Sequence, residues 1–209
     1  MKKFLVIFIC ISFGFQNYDI KITISKKYKA INAKLVHAPP IIEFFSFLCP
    51  HCYYLERNYH LDDHIKNSIP SFIRITKYHV NLLEEEFNNS LTKIWEISKS
   101  LGLEKKVIIP IFEKVQITKT ITNFFTLKNE FLKLTKIDAK EFDFLWNSFV
   151  IKSIIHNQKI IQDTIHLDHV PYTLINGKYT INNENINNKS KKDFIKEYIH
   201  ILKFLLNEH

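Results

Sequence analysis

Ile41-Ile42-Glu43-Phe44-Phe45-Ser46-Phe47-Leu48-Cys49-Pro50-His51-Cys52-Tyr53 decides the fold. Ile41 to Phe47 is an apolar run bounded by Pro39-Pro40 before it and Cys49-Pro50 after it. Its length and aromatic content predict a central strand buried on both faces. Pro50 falls where the first turn of a helix tolerates proline, since that N–H has no partner inside the helix anyway. Tyr53 to Asn67 then reads as helix, ending before Pro70. Phe72, Ile73, Ile75, Tyr78 and Val80 mark a second core strand over Phe72 to Val80. Strand, helix, strand over this length is a βαβ unit.

Upstream, Ile20 to Ser25 alternates apolar and polar residues, a strand signature. Lys26 to Pro40 reads as a polar connector. Met1-Lys2-Lys3 followed by the apolar run Phe4 to Phe15 has the plan of a secretory signal peptide. The run is short of the roughly 20 residues that cross a bilayer. No Ala-x-Ala is present, and Ser12-x-Gly14 is the best small-x-small cleavage candidate. An uncleaved anchor and a buried N-terminal strand are the competing readings.

Downstream, helical periodicity runs from Asn81 to about Asn157, with breaks expected at Gly102, Pro110 and Thr118 to Asn123. Asp138-Ala139-Lys140-Glu141 is a capping-box pattern opening a helix with Phe142, Leu145, Phe149 and Ile154 inward. Val170 to Ile175 returns to strand, and Asn176-Gly177 is a two-residue hairpin signal leading into Tyr179 to Ile181. Ser190-Lys191-Lys192-Asp193 opens a final amphipathic helix through Phe194, Tyr198, Leu202 and Leu205. The expected organisation is a signal peptide over 1–19, a first α/β half over 20–81, a helical block over 82–157 and a second α/β half over 158–209.

The chain has 209 residues and a formal charge of +8. Only Arg57 and Arg74 are arginines, so the excess is lysine, a point charge without the fork that grips phosphates and guanine edges. A nucleic-acid partner is not expected. The wealth of Asn, Ile, Lys and Phe reads as drift in an AT-rich genome, with a polycationic surface as the rival. Cysteines number 3. Cys10 falls in the signal, leaving Cys49 and Cys52. An exported chain using disulfides as staples would carry more, so this pair is read as chemistry. Cys49, Cys52, His60 and His64 superficially resemble a zinc set. A finger needs a loop of roughly 12 residues between its pairs, and the two histidines fall along one predicted helix, so no metal is expected. His37, His156, His166, His200 and His209 read as surface or core residues.

Cys49-Pro50-His51-Cys52 lies where a buried strand meets a helix start. Unpaired N–H groups and the positive end of the helix dipole favour an anion there. A Cys49 thiolate would gain from both, and His51 can add a hydrogen bond or positive charge. Cys52, one turn on and more enclosed, is the resolving thiol. Stabilising the thiolate stabilises the reduced form, which makes the disulfide a strong oxidant.

With Glu43 to Tyr53, the segments Thr76-Lys77-Tyr78-His79-Val80-Asn81, Trp146-Asn147-Ser148-Phe149-Val150 and Val170-Pro171 with Asn176-Gly177-Lys178-Tyr179 occur in the right order. Together they resemble the DsbA family of bacterial periplasmic disulfide oxidases, from about Pro40 to the last helix. The resemblance implies an α/β protein with a thioredoxin fold carrying an inserted all-helical domain. It implies a cis Pro171 beside the cysteines, leaving the Val170 backbone free to pair with an extended substrate. It implies a Glu43–Lys77 pair beneath the site, with Glu43 moving protons to or from Cys52. Glu56 is expected to be a solvated helix charge. His169 departs from the family pattern; it is expected near Cys49, favouring the thiolate or narrowing the substrate site.

The implied activity is donation of the Cys49–Cys52 disulfide to reduced, unfolded exported proteins in the periplasm, with no cofactor beyond the disulfide. An inner-membrane, quinone-linked thiol oxidase would regenerate it, and a monomer is expected. A reductase or isomerase on the same fold is the nearest alternative. His51 in place of a reductase-like Gly-Pro argues against the first, and the lack of a preceding dimerisation domain against the second. A non-catalytic, chaperone-like peptide binder is the alternative from another class.

Overall fold

The computed structural model describes residues 26–33, 35, 38–82 and 85–208. The expected signal peptide, the expected strand Ile20 to Ser25, Cys10, His37 and His209 lie outside the described residues.

Five strands form one mixed sheet: β1 (Tyr28–Ala30), β2 (Ile41–Phe45), β3 (Ile75–His79), β4 (Tyr172–Ile175) and β5 (Tyr179–Ile181). Their spatial order is β1-β5-β4-β2-β3. β2 pairs parallel with β3 and antiparallel with β4, so it is central, and every one of its residues is buried. A near-continuous apolar run is what a strand covered on both faces requires. Ile42 and Phe44 pack with Tyr172 and Leu174 on one face. Ile41 packs on the other with Leu55, Ile65, Tyr198 and Leu202. Alternation along the strand sends Glu43 to the Ile41 side. β4 and β5 form the hairpin expected from Asn176-Gly177, whose φ values of 51° and 60° are those of a two-residue primed turn. Tyr28–Ala30, within the stretch read as connector, adds an edge strand on β5.

Between β2 and β3 the chain forms α1 (Pro50–Tyr54), a wide turn over Leu55–Tyr59 and α2 (Leu61–Lys66). The expected unbroken helix is interrupted at His60, which takes left-handed φ 49°. β3 begins at Ile75 rather than Phe72, because Ile73 N–H closes a turn onto Pro70 O at 3.0 Å and leaves Phe72 83% exposed.

The helical block comprises α3 (Glu86–Ser100), α4 (Glu104–Phe112), α5 (Phe124–Thr135), α6 (Ala139–Asn147) and α7 (Phe149–Thr164). Gly102, at φ 66°, separates α3 from α4 as expected. Pro110 lies inside α4 instead of ending it, and a wider-wound turn, Glu113–Ile117, follows directly. Asp138 caps α6 through Lys140 N–H at 2.7 Å. Ser148 then ends α6 and caps α7. That break discards the helical register beyond it, so Phe142 is buried but Phe149 is 82% exposed. The block packs its own core, centred on Trp95, Phe112, Phe131 and Phe142, against Phe45 and Phe47. α8 (Lys191–Asn207) closes the chain, capped by Ser190 and burying Phe194, Tyr198, Leu202 and Leu205 as expected. The layout is therefore a β-α-β half and a β-β-α half sharing one sheet, with helices between them. No helix among the described residues is long and apolar enough to cross a membrane.

Candidate active site

Cys49 sits at the junction of strand and helix. Its N–H donates to Ser46 O at 3.0 Å, and Ser46 Oγ accepts Leu48 N–H at 3.2 Å, so a tight turn delivers the chain into α1. Cys49 has extended backbone (φ −87°, ψ 112°) and caps the helix: its sulfur accepts Cys52 N–H at 3.1 Å. Pro50 occupies the first turn, where its missing donor costs nothing. Cys49 is half-buried and Cys52 buried, and both are free thiols.

These contacts separate the two sulfurs electrostatically. A hydrogen bond from the Cys52 thiol, joined by the backbone N–H groups of Cys52 and His51, outweighs burial and holds the Cys49 thiol down at about 7. Burial, with the neighbouring Cys49, pushes the Cys52 thiol far above the cysteine range. The groups stabilising a Cys49 thiolate are thus Cys52 and backbone donors; the His51 side chain is exposed to solvent.

Across from the helix, the Val170–Pro171 peptide is cis, and Val170 O accepts from Cys49 Sγ at 3.5 Å. The hairpin thereby brings Val170 and Pro171 to the cysteine pair. The His169 ring bonds Asp168 Oδ1 at 2.5 Å and meets Tyr172 edge-on. Its partners are therefore not at Cys49, whose contact on this loop is Val170. A groove of about 760 Å³ runs over this surface, lined among others by His51, Tyr54, Tyr59, His169, Val170 and Pro171.

Beneath Cys52 lies a charged cluster. Glu43 and Lys77 are register partners on β2 and β3, and their charged groups stand 3.5 Å apart. Lys77 Nζ reaches Glu56 Oε2 at 2.5 Å and both Asp62 oxygens at 3.0 Å. Glu56 is therefore an ion-paired residue, 18% exposed, and not a solvated helix charge. Asp62 is a residue the sequence reading missed. Burial, Asp62 and the hydrogen bond it accepts hold the Glu43 carboxyl well above the usual range despite Lys77. Asp62 shows the opposite balance: burial raises it, but Lys77 and the Glu43 hydrogen bond outweigh burial and leave it low. Three acids hold Lys77 well above the ordinary lysine value although burial opposes this. A cavity of about 40 Å³ joins Glu43, Asp62, Lys77 and Cys52 to Pro171 and Tyr198. That is room for water beside polar partners.

Two further residues tie the helical block to the site. Gln116 Nε2 donates to Phe47 O at 2.8 Å and to Cys49 O at 3.1 Å. His79 Nε2 accepts Phe47 N–H at 3.0 Å, while its Nδ1 meets Thr92 Oγ1 at 2.9 Å. Neither carried a signal beyond its residue type, since their partners are distant in sequence. His60 and His64 are not brought to the cysteines as a metal set: no cluster of three or more His, Cys, Asp or Glu placed to hold a metal occurs among the described residues.

Comparison with known proteins agrees with this geometry. Residues 40–108 match the model of the DSBA-like thioredoxin domain family. The thiol:disulfide interchange protein DsbA of Buchnera aphidicola subsp. Baizongia pistaciae is 47% identical over 209 residues, covering 100% of this chain and 99% of the relative. The DsbA of Escherichia coli K12 is 36% identical over 180 residues, covering 86% of each chain. The crystal structure of the disulfide oxidoreductase DsbA from Proteus mirabilis matches with a TM-score of 0.81 at 28% identity, over 87% of this chain and 95% of that chain. A second Proteus mirabilis DsbA structure, in complex with a non-covalently bound peptide, matches with a TM-score of 0.81 at 27% identity, over 87% and 96% of the two chains.

Proposed function

The chain belongs to the DsbA family of thiol:disulfide interchange proteins, and from that premise we propose how its residues carry out disulfide exchange. Cys49 is the sulfur attacked by substrate, and Cys52 is its partner. The observation that carries this assignment is the Cys52 N–H directed at the Cys49 sulfur, with the Cys49 thiol held at about 7 and that of Cys52 pushed up.

In the oxidised protein a substrate thiolate attacks Cys49 Sγ. The Cys49–Cys52 bond breaks, and its electron pair leaves on the Cys52 sulfur. Cys52 in its buried pocket is a poor anion, so it takes a proton, which Glu43 supplies across the small cavity. A second substrate thiolate attacks the substrate sulfur of the mixed disulfide, and Cys49 departs as its stabilised thiolate. Substrate loses two electrons to the cysteine pair, and no other redox group takes part. Lys77 offsets the charge left on the cluster. Pro50 holds the helix start, and His51 presents its backbone donor to Cys49 and its ring to the groove. An extended substrate pairs along Val170 and Pro171, with His169 facing the bound chain from the groove wall. The Proteus mirabilis relative solved with a non-covalently bound peptide supports a peptide substrate.

The substrates on this reading are reduced, unfolded exported proteins in the periplasm, reached through the N-terminal signal. An inner-membrane quinone-linked thiol oxidase restores the disulfide, the protein acts as a monomer, and nucleic acid plays no part. The test is disulfide transfer from the oxidised protein to a reduced, unfolded protein, followed by loss of free thiols. Transfer is expected in the wild type and absent in Cys49→Ser. Equal thiol loss in both rejects the assignment. Equilibration with glutathione fixes the direction: a pair as reducing as thioredoxin's rejects an oxidase.

A further inference from the structure

The charged cluster beneath Cys52 holds three carboxylates against one ammonium. Lys77 does not share itself evenly. It takes Glu56 at 2.5 Å and both oxygens of Asp62 at 3.0 Å, while Glu43 is left at 3.5 Å. These three side chains are only 10–18% exposed, so surplus negative charge among them is costly. A proton on one of the acids relieves it. Glu43 and Asp62 can share a hydrogen bond only if one of them carries a proton, and Lys77, at 3.0 Å from both Asp62 oxygens but 3.5 Å from Glu43, favours the ionised form of Asp62 and leaves the proton to Glu43.

We propose that Asp62 is a positioning residue: by engaging Lys77 and accepting a hydrogen bond from Glu43, it keeps Glu43 a neutral acid poised to protonate Cys52 as that sulfur leaves. This rests on the reading of Glu43 as the proton donor to Cys52. The geometry supports the division of roles. Glu43, Asp62 and Lys77 line one cavity with Cys52, and within it Lys77 holds both Asp62 oxygens at 3.0 Å but stands 3.5 Å from Glu43. The groups facing Glu43 come from every element around it: Lys77 on β3, Glu56 in the wide turn, Asp62 on α2, Cys52 on α1 and Tyr198 on α8. Tyr198 is engaged with Thr173 at 2.6 Å, and Lys66 adds a second cation near Asp62. The shifts run the same way, Glu43 up and Asp62 down.

The test is an infrared titration of the oxidised protein, where no thiol ionises. The carboxylic-acid carbonyl band of Glu43 is assigned by its loss in Glu43→Gln. In the wild type the band persists at neutral pH. In Asp62→Asn, Lys77 is released toward Glu43 and the repelling charge is gone, so the midpoint falls by about one pH unit or more. Asp62→Glu moves it back toward the wild type. A wild-type band that titrates as an ordinary carboxylate overturns the proposal whether or not the variants fold, and so does an unchanged midpoint in Asp62→Asn. The underlying reading is decided separately, by the rate at which a peptide thiolate displaces Cys52. If the ratio of wild-type to Glu43→Gln rates is flat with pH, Glu43 is not the donor and the purpose assigned to Asp62 falls with it.

Discussion

The backbone N–H of Cys52 points at the sulfur of Cys49 across 3.1 Å, so one cysteine of the pair helps hold the other as an anion. Burial and the neighbouring Cys49 press the Cys52 sulfur toward the thiol, outweighing the Ser46 backbone and Lys77 that favour its anion. The pair is chemically one-sided before any substrate arrives. Thiolate absorbance in the reduced protein is expected to show a single transition at about 7. Iodoacetamide at neutral pH should label Cys49 and spare Cys52, as peptide mapping would reveal. Two transitions near the ordinary cysteine value of about 8.5, or equal labelling of both, contradict the geometry.

The same asymmetry gives the reduced and oxidised forms different pH dependences. The Cys49 thiol is lowered from 9.0 to about 7 in the folded state. Its contribution to the reduced form is therefore fully present above pH 9, and it is lost as pH falls through 7. Since Cys49 is only half-buried, the gain across that window is about 1–2 kcal/mol after allowing for solvent screening. Cys52 acts oppositely. Its folded value is raised, so above about pH 9 the unfolded chain ionises there while the folded one does not, and the reduced form loses stability. Urea midpoints of the two forms, compared pH by pH, should show the reduced form gaining on the oxidised one and then giving the gain back. A difference that stays flat from neutral pH to 9 rules this out.

Gln116 donates from the helical block into the active-site turn, through Phe47 O and Cys49 O. In Gln116→Leu both carbonyls lose that partner at a partly buried site. The cost is expected at about 1–3 kcal/mol, read as a lower urea midpoint. Faster amide exchange should follow in the turn from Ser46 to Cys49, whose own N–H bonds to Ser46 O. Because Tyr53 N–H still bonds Cys49 O at 3.1 Å, α1 should remain folded and the Cys49 midpoint low. A variant as stable as the wild type would show that the two hydrogen bonds are replaced by water without loss.

The elements around the cysteines were legible because each announces itself locally. An apolar run bounded by prolines is a buried strand, Asn176-Gly177 is a turn, and Glu43 and Lys77 are charges inside apolar strands that need each other. Asp62 was hidden by the helix break. On a continuous helix, six residues from Glu56 place it about 240° around the axis, away from the same partner. His60 in the left-handed region turns α2 so that both acids meet Lys77, and no glycine or proline marks that position. Ser148 hides its break in the same way, and with it the outward position of Phe149. Gln116 was out of reach for another reason: its partner Cys49 is 67 residues away, and only the packed structure makes them neighbours.

His79 makes acid stability a local matter. It is fully buried, accepts Phe47 N–H at Nε2, and so carries its proton on Nδ1, donating it to Thr92 Oγ1. Thr92 in turn donates to Asn88 O at 3.2 Å, joining the end of β2 to α3. Burial lowers its value from 6.5 to about 3, so the folded protein keeps the ring neutral where the unfolded chain takes up a proton. The unfolded state therefore binds more protons below pH 6.5, and stability falls from there until pH reaches about 3. One residue with this shift accounts for about 1.4 kcal/mol per pH unit, hence about 2–3 kcal/mol between pH 6.5 and about 4.5. His79→Gln retains an acceptor for Phe47 but cannot titrate. It should start about 1–3 kcal/mol less stable at neutral pH, through poorer hydrogen bonding and the lost stacking on Phe47 at 5.1 Å. Urea unfolding at the two pH values should then show the variant losing about 2–3 kcal/mol less than the wild type on acidification. Equal acid losses in the two proteins would place the acid sensitivity elsewhere in the chain.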